Sequence, residues 1–394
     1  MTLFERVGAN SSPEPGALAD VLSLFGAVAD AAAGSPPEAT PSIASLAVSM
    51  ARLAELSQEE ADALYFAALL RNLGALGNPA FGKGEPLPAR LAEMHRWDIP
   101  VSGARLCESI RALPRPTADL VRWSAERWDG TGYPDQLRWH GIPRAAQALH
   151  LACTYVRFAD REEALATIAG ESGQAFAPEQ TRTFVLWYHA CGGEIEPVGI
   201  PLHALDSELA TTGEIVDTLA DRIDAHNGTP GRWRRVLQRA EHASAALQLP
   251  PSDRAQLACA VRFFAAGEID DAILEAERFG PMARLGVKNR AKHAVAAAAL
   301  LERSTTLGAA APLLRARAEW YDGTGKPDGL RHEAIPPAAM VLSACIAYDA
   351  LEQSAREKTR EDHRRPLDRI ETASGTQFDP RVVSALAQIE QERR

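Results

Sequence analysis

The stretch Glu126-Arg127-Trp128-Asp129-Gly130-Thr131-Gly132-Tyr133-Pro134-Asp135-Gln136-Leu137 occurs in this chain twice. It returns as Glu319-Trp320-Tyr321-Asp322-Gly323-Thr324-Gly325-Lys326-Pro327-Asp328-Gly329-Leu330, with eight of twelve residues identical and Glu319 standing 193 positions after Glu126. The same shift carries Ile142-Pro143 onto Ile335-Pro336, Gly74 onto Gly267 and Leu56 onto Leu249. An offset held over roughly a hundred residues marks a duplicated structural unit. Within the loop, alternate glycines supply backbone freedom at positive φ, Asp129 and Asp322 can close Asx turns, and Pro134 and Pro327 set the exit direction. A rigid turn between two helices is expected in each copy.

Composition agrees with two globular units. At 394 residues the chain exceeds one compact core, and two domains of about 190 residues each fall in the usual range. Apolar residues make up 46% and charged residues 24%. The net charge of -10 argues against a general nucleic-acid binder, which needs a basic face, although it leaves room for a local basic patch. Cys107, Cys153, Cys191, Cys259 and Cys345 show no Cys-x-x-Cys spacing and read as core thiols of a reducing compartment. The N-terminus lacks a basic-then-apolar leader pattern, and no apolar run is expected to reach membrane-spanning length. A cytoplasmic protein without a membrane partner is the expectation.

Apolar residues recur at helical spacing over Leu18 to Ala33, Ile43 to Leu56, Arg90 to Leu113 with a break near Pro100, Ala118 to Arg127, and Ala145 to Ala159. Ser57-Gln58-Glu59-Glu60 reads as a capping box opening a helix through Leu73. Nothing alternates with period two for long, so the fold class is all-α, two tandem helical bundles related by duplication. Lobe one spans 1–190, a Gly/Pro-broken linker 191–204, and lobe two 205–394. The mixed charges from Glu352 to Arg365 read as a solvated face.

The repeated loop, followed by Ile142-Pro143, resembles the signature of the HD-GYP phosphohydrolases. Gly132-Tyr133-Pro134 is intact in the first copy, and the second has Gly325-Lys326-Pro327. Gly375-Thr376-Gln377-Phe378-Asp379-Pro380 resembles the segment that closes such domains, with a weaker echo at Gly173 to Pro178. The resemblance implies helical domains holding two or three divalent metals between His and Asp side chains, which activate water against the phosphodiester of cyclic di-GMP.

Carried over residue by residue, the family's ligand positions fall on Arg71-Asn72, Ile99, Ser124-Ala125 and Cys153 in lobe one, with Ala75 in place of its lysine. Through the 193-residue shift they fall on Phe264-Ala265, Lys292, Arg317-Ala318 and Ile346 in lobe two, with Glu268 for the lysine. Such metals need imidazole and carboxylate donors, and arginine stays cationic. We therefore expect no catalytic residues, no metal and no cofactor. Arg71, Lys292 and Arg317 put fixed positive charge where metals would sit and are candidates for holding phosphate, as is Lys83 in Gly82-Lys83-Gly84. The competing reading is an internal ion pair or a snorkelling cation. His140, His150, His189 and His203 read as surface or capping residues, and His293 lies one position past the ligand slot. The chain ends at Arg394 soon after Pro380, so a following helix-turn-helix domain is not expected.

Two function classes follow. One is a catalytically inactive HD-GYP-like regulatory or scaffold protein in cyclic di-GMP signalling. It would bind a nucleotide or phosphate, a signalling protein or a second copy, with Tyr133 and Lys326 as exposed contacts of the loops. The alternative is a metal-dependent cyclic di-GMP phosphodiesterase with unconventional ligands.

Overall fold

A computed structural model describes residues 15–35, 39–78, 89–206, 212–269, 285–356 and 365–392, with the side chains of 89–96, 285–289, 356 and 392 left aside. Among the described residues every extended element is a helix, and β structure is confined to two isolated bridges, Ser172 with Phe176 and Ser374 with Phe378. Those bridges are themselves duplicates, lying in the two closing segments.

Lobe one contains α1 (Pro15–Ala32), α2 (Ala39–Leu53), α3 (Gln58–Leu70), α4 (Ala89–Ser109), α5 (Thr117–Arg122), α6 (Arg144–Arg157), α7 (Arg161–Gly170) and α8 (Pro178–Cys191). Lobe two repeats them as α9 (Thr212–His226), α10 (Arg232–Ala246), α11 (Pro251–Phe263), α12 (Leu285–Glu302), α13 (Ala311–Ala316), α14 (Pro337–Arg356), α15 (Pro366–Thr372) and α16 (Pro380–Glu392). In lobe one α2 packs between α3 and α6, and in lobe two α10 packs against α11 and α14. Phe25, Leu46, Met50, Phe66 and Leu70 are buried in the first core, and Val236, Phe263, Phe264, Leu314 and Leu342 in the second. Each such side chain contributes about 1.5–3 kcal/mol of hydrophobic stabilisation.

The sequence's start signals hold better than its stop signals. The Ser57 hydroxyl accepts from Glu60 N at 3.2 Å while Glu60 Oε2 accepts from Ser57 N at 3.0 Å, the capping box read from the sequence. The helix it opens ends at Leu70, however, and Leu73–Ala75 forms a short 3-10 turn. Pro100 lies inside α4 instead of breaking it. There the bare Cα of Gly74 leaves room for the carbonyl of Ile99, so packing holds the backbone in place where a proline removes one N–H. The helix expected over 118–127 stops at Arg122 because Ser124 onward turns into the repeated loop.

Helix α1 also corrects an expectation, since it is long and apolar enough to cross a membrane by length and composition. Its Leu18, Val21, Leu22 and Val28 are fully buried, and it packs on α3.

The chain divides into units 12–215 and 216–394, later than the expected boundary at 204. The segment read as a linker, and Asp206 just beyond it, are bonded to lobe one. The Tyr155 hydroxyl donates to Gly193 O at 2.8 Å, Val198 N to Ser45 Oγ at 3.0 Å, and Asp206 N to Ala112 O at 3.0 Å.

Candidate functional site

The two loops are built alike around a buried carboxylate. Glu126, 1% exposed, accepts the backbone N–H of Asp135 at 2.7 Å and of Leu137 at 3.0 Å; Glu319 does the same for Asp328, Gly329 and Leu330. Asp129 Oδ1 accepts from Thr131 N at 2.9 Å, and Asp322 Oδ1 from Thr324 N at 2.9 Å, the expected Asx turns. Burial pushes the Asp129 carboxyl up, but the Thr131 hydroxyl and amide together hold it below the usual carboxylate range, and the Thr324 hydroxyl and amide do the same for Asp322. Arg122 grips Asp135, and Arg315 grips Asp328, through paired bonds. The closing segments complete the knot, with Asp129 N donating to Gln174 O at 2.8 Å and Asp322 N to Thr376 O at 3.0 Å.

The glycines divide their work differently from the sequence reading. Gly130 and Gly323 hold φ of +79° and +84°. Gly132 and Gly325 do not; a Cβ at either would strike the backbone of residues 125–127 or 319–320. Pro134 and Pro327 both follow cis peptide bonds. Tyr133 is half-buried and stacks on Trp97 at 5.6 Å, which corrects its expected exposure, while Lys326 is exposed.

In lobe one the loop, α2, α4, α6 and the residues just after α1 and α3 line a cavity of about 500 Å3. Its lining includes Arg71, Asn72, Ile99, Ser124, Ala125 and Cys153, so all six transferred positions converge as a ligand set would. Their chemistry does not fit a metal. Arg71, 8% exposed, lies 3.1 Å from Asp30 Oδ1 and donates to Thr40 Oγ1 at 2.6 Å and Ala68 O at 2.9 Å. Asn72 donates to Asp30 Oδ1 at 2.9 Å, and the Thr40 hydroxyl donates to Oδ2. Burial raises the Asp30 carboxyl pKa, and Arg71 works against that shift. Of the two readings for Arg71, the geometry is that of the internal ion pair. Asp30 itself went unread in the sequence, where the only signal is one acid within an apolar helical run. Lys83 lies outside the described residues.

Lobe two encloses about 680 Å3 at the equivalent place, lined by Arg232, Glu268, Arg290, His293, Arg317, Ala318 and Ile346 among others. Phe264 and Ala265 are buried behind it. Lys292 is exposed and outside the lining, and the residue facing the cavity is His293. The glycine contacts explain the correction. Gly74 lies against the carbonyl of Ile99, and Gly267 against that of His293. The glycines are 193 apart but their partners 194, so the second copy carries one extra residue before this point. The register returns to 193 by Arg315 and Asp328, which match Arg122 and Asp135. Lobe two therefore has a histidine where lobe one has Ile99. Among the described residues, no three His, Cys, Asp or Glu side chains are grouped to hold a metal ion.

An HD-domain profile matches residues 18–179 and again 217–382. The chain belongs to the HD-domain family. Both HD lobes are thus shown by sequence as well as by the duplicated helices. A cyclic di-GMP phosphodiesterase response regulator, RpfG of Xanthomonas campestris pv. campestris, is 40% identical over 77 residues, covering 18% of this chain and 20% of that protein. A cyclic di-GMP phosphodiesterase of Vibrio cholerae is 34% identical over 92 residues, covering 23% of this chain and 19% of that one. The matched part thus spans about a fifth of each relative. The crystal structure of a cyclic GMP-AMP specific phosphodiesterase of V. cholerae, V-cGAP3, superposes with a TM-score of 0.64 at 19% identity, over 94% of this chain and 97% of that one. At that identity the likeness is one of fold.

His140, His150, His189 and His203 lie outside the linings of the two cavities. His150 is not a surface residue: Nδ1 donates to Glu126 O at 2.8 Å, the ring lies 5.2 Å from Phe176, and burial pushes its pKa down to about 4. His203 pairs with Asp62 at 2.8 Å, and His140 and His189 are exposed. All five cysteines are free thiols.

Proposed function

We propose that this HD-domain protein is a non-catalytic regulator in cyclic dinucleotide signalling, working by binding and not by hydrolysis. The observation that carries this reading is the lobe-one cavity, where six ligand positions converge and the cation standing at one of them is Arg71, already matched by Asp30. A protein cation in an ion pair leaves neither the donors nor the negative potential that a divalent metal needs. Both loops keep their turn chemistry while the ligand positions change, which supports a retained shape. Tyr133 and Lys326, an aromatic and a cation at matched positions, would give the lobes different partners, either a signalling protein or a second copy. Five free thiols suit a cytoplasmic setting.

The second reading, a phosphodiesterase with unconventional ligands, draws on His293 and Glu268, an imidazole and a carboxylate lining one cavity. Incubating the purified full chain with cyclic di-GMP and manganese or iron(II), with products separated by chromatography, distinguishes them. No product above the protein-free control is expected. Turnover that is lost on His293→Ala would establish the enzyme.

A further inference from the structure

The two cavities treat buried cations differently. Arg71 in lobe one is surrounded by Asp30, Thr40 and the Ala68 carbonyl. Arg317 in lobe two is equally buried, at 7% exposure, yet no carboxylate lies within ion-pair distance of it among the described residues. Its Nη2 donates to the Phe264 carbonyl at 3.2 Å, and its Nε has no partner. Desolvation pulls its pKa down to about 10, with Arg232 and Arg290 adding to the effect and Glu268 opposing it. A buried charge with an unmet donor is costly unless something completes it.

The surroundings say what kind of group completes it. Asp224, near the end of α9 as Asp30 is near the end of α1, accepts from Trp233 N at 2.8 Å and forms no ion pair with Arg317. Position 264 is phenylalanine where lobe one has Arg71, and the Arg232 guanidinium sits over its ring at 4.8 Å while lying 3.3 Å from Glu268. Arg290 and Arg369 also line the cavity, and Glu268 is the one acidic residue among its described lining. Guanidinium groups bind phosphate oxygens through paired, charge-assisted bonds. A phosphate monoester carries close to two negative charges at neutral pH, whereas each phosphate of a cyclic diester carries one.

The geometry points to the lobe-two cavity as a metal-independent site for a phosphate monoester, with Arg317 on its oxygens and the ligand's body toward Trp320 and Phe378. This deepens the non-catalytic reading and rests on it, because a metal cluster in the same cavity would put cations of its own against Arg317.

The test uses the full chain in excess EDTA, with GMP, inorganic phosphate and cyclic di-GMP as probes in calorimetry and thermal melting. GMP and phosphate should each raise the melting midpoint, and GMP should bind more tightly than cyclic di-GMP. Arg317→Met should weaken GMP binding by about tenfold or more, the scale of a lost charged hydrogen bond. The same change should leave the ligand-free midpoint unchanged or higher, which a purely structural arginine would not. Arg290→Gln, at an exposed side chain, provides a second variant that should weaken GMP severalfold. Absence of GMP binding in EDTA, undiminished binding in both variants, or tighter binding of cyclic di-GMP than GMP would each overturn the inference. Hydrolysis of cyclic di-GMP would instead sink the functional reading, so the two failures are distinct.

Discussion

Arg71 and Asp30 form the pair on which lobe one turns, since one stands at a ligand position and the other is fully buried beneath it. Removing one partner of a buried pair leaves the other charge uncompensated, so Arg71→Met should destabilise lobe one by about 3–5 kcal/mol in urea unfolding. Changing both, Arg71→Met with Asp30→Asn, should recover most of that loss; no recovery would mean the arginine acts through packing instead. His150 provides a second residue-scale test. Its folded pKa of about 4 lies below the free value of 6.5, so its contribution is complete above about pH 6.5 and is lost as pH falls through 4. The loss amounts to at most about 3 kcal/mol. His150→Gln should flatten that part of the stability profile, and an unchanged slope would contradict the assignment. Arg71 was legible as a displaced ligand because a motif flanks it. Asp30 was not, because a single acid in an apolar helix carries no spacing signal and its partner lies 41 residues away.

The loop is the element that the sequence specified most completely. Its Asx turns, its exit prolines and its coupling to the closing segment repeat bond for bond in both copies. Gly132 and Gly325 are required for close approach to neighbouring backbone, whereas a Cβ at Gly141 would meet nothing within 4 Å. Gly132→Ala and Gly325→Ala should therefore each lower the melting midpoint of the affected lobe by several degrees, on the order of 1–3 kcal/mol. Gly141→Ala should leave it unchanged, and equal effects at all three positions would refute the packing argument. Where the sequence misled was α12. A constant offset assigned Lys292 to the cavity, but one added residue rotates a helix by about 100°, enough to bring His293 inward and leave Lys292 in solvent. The contact between Gly267 and the His293 carbonyl reveals that slip, and the cavity lining agrees with it. Helix ends were misplaced for the related reason that loops pull residues such as Ser124 out of otherwise helical patterns.

At the scale of the molecule, duplication, helical class and HD membership were all readable from the sequence, because a repeated motif and helical periodicity survive substitution. The cavities themselves were not readable, since six residues spread over about eighty positions converge only when folded. The two lobes differ: in lobe one the buried Arg71 is paired with Asp30 and the exposed Arg157 also lines the cavity, while several guanidiniums gather in lobe two. Among the described residues, neither lobe groups three His, Cys, Asp or Glu side chains that could hold a metal ion. The most direct test is elemental analysis of the full chain expressed with added iron and manganese and freed of loosely held ions. The account predicts well below one bound metal per chain. About two metals per lobe, the content of a two-metal hydrolase, would contradict it.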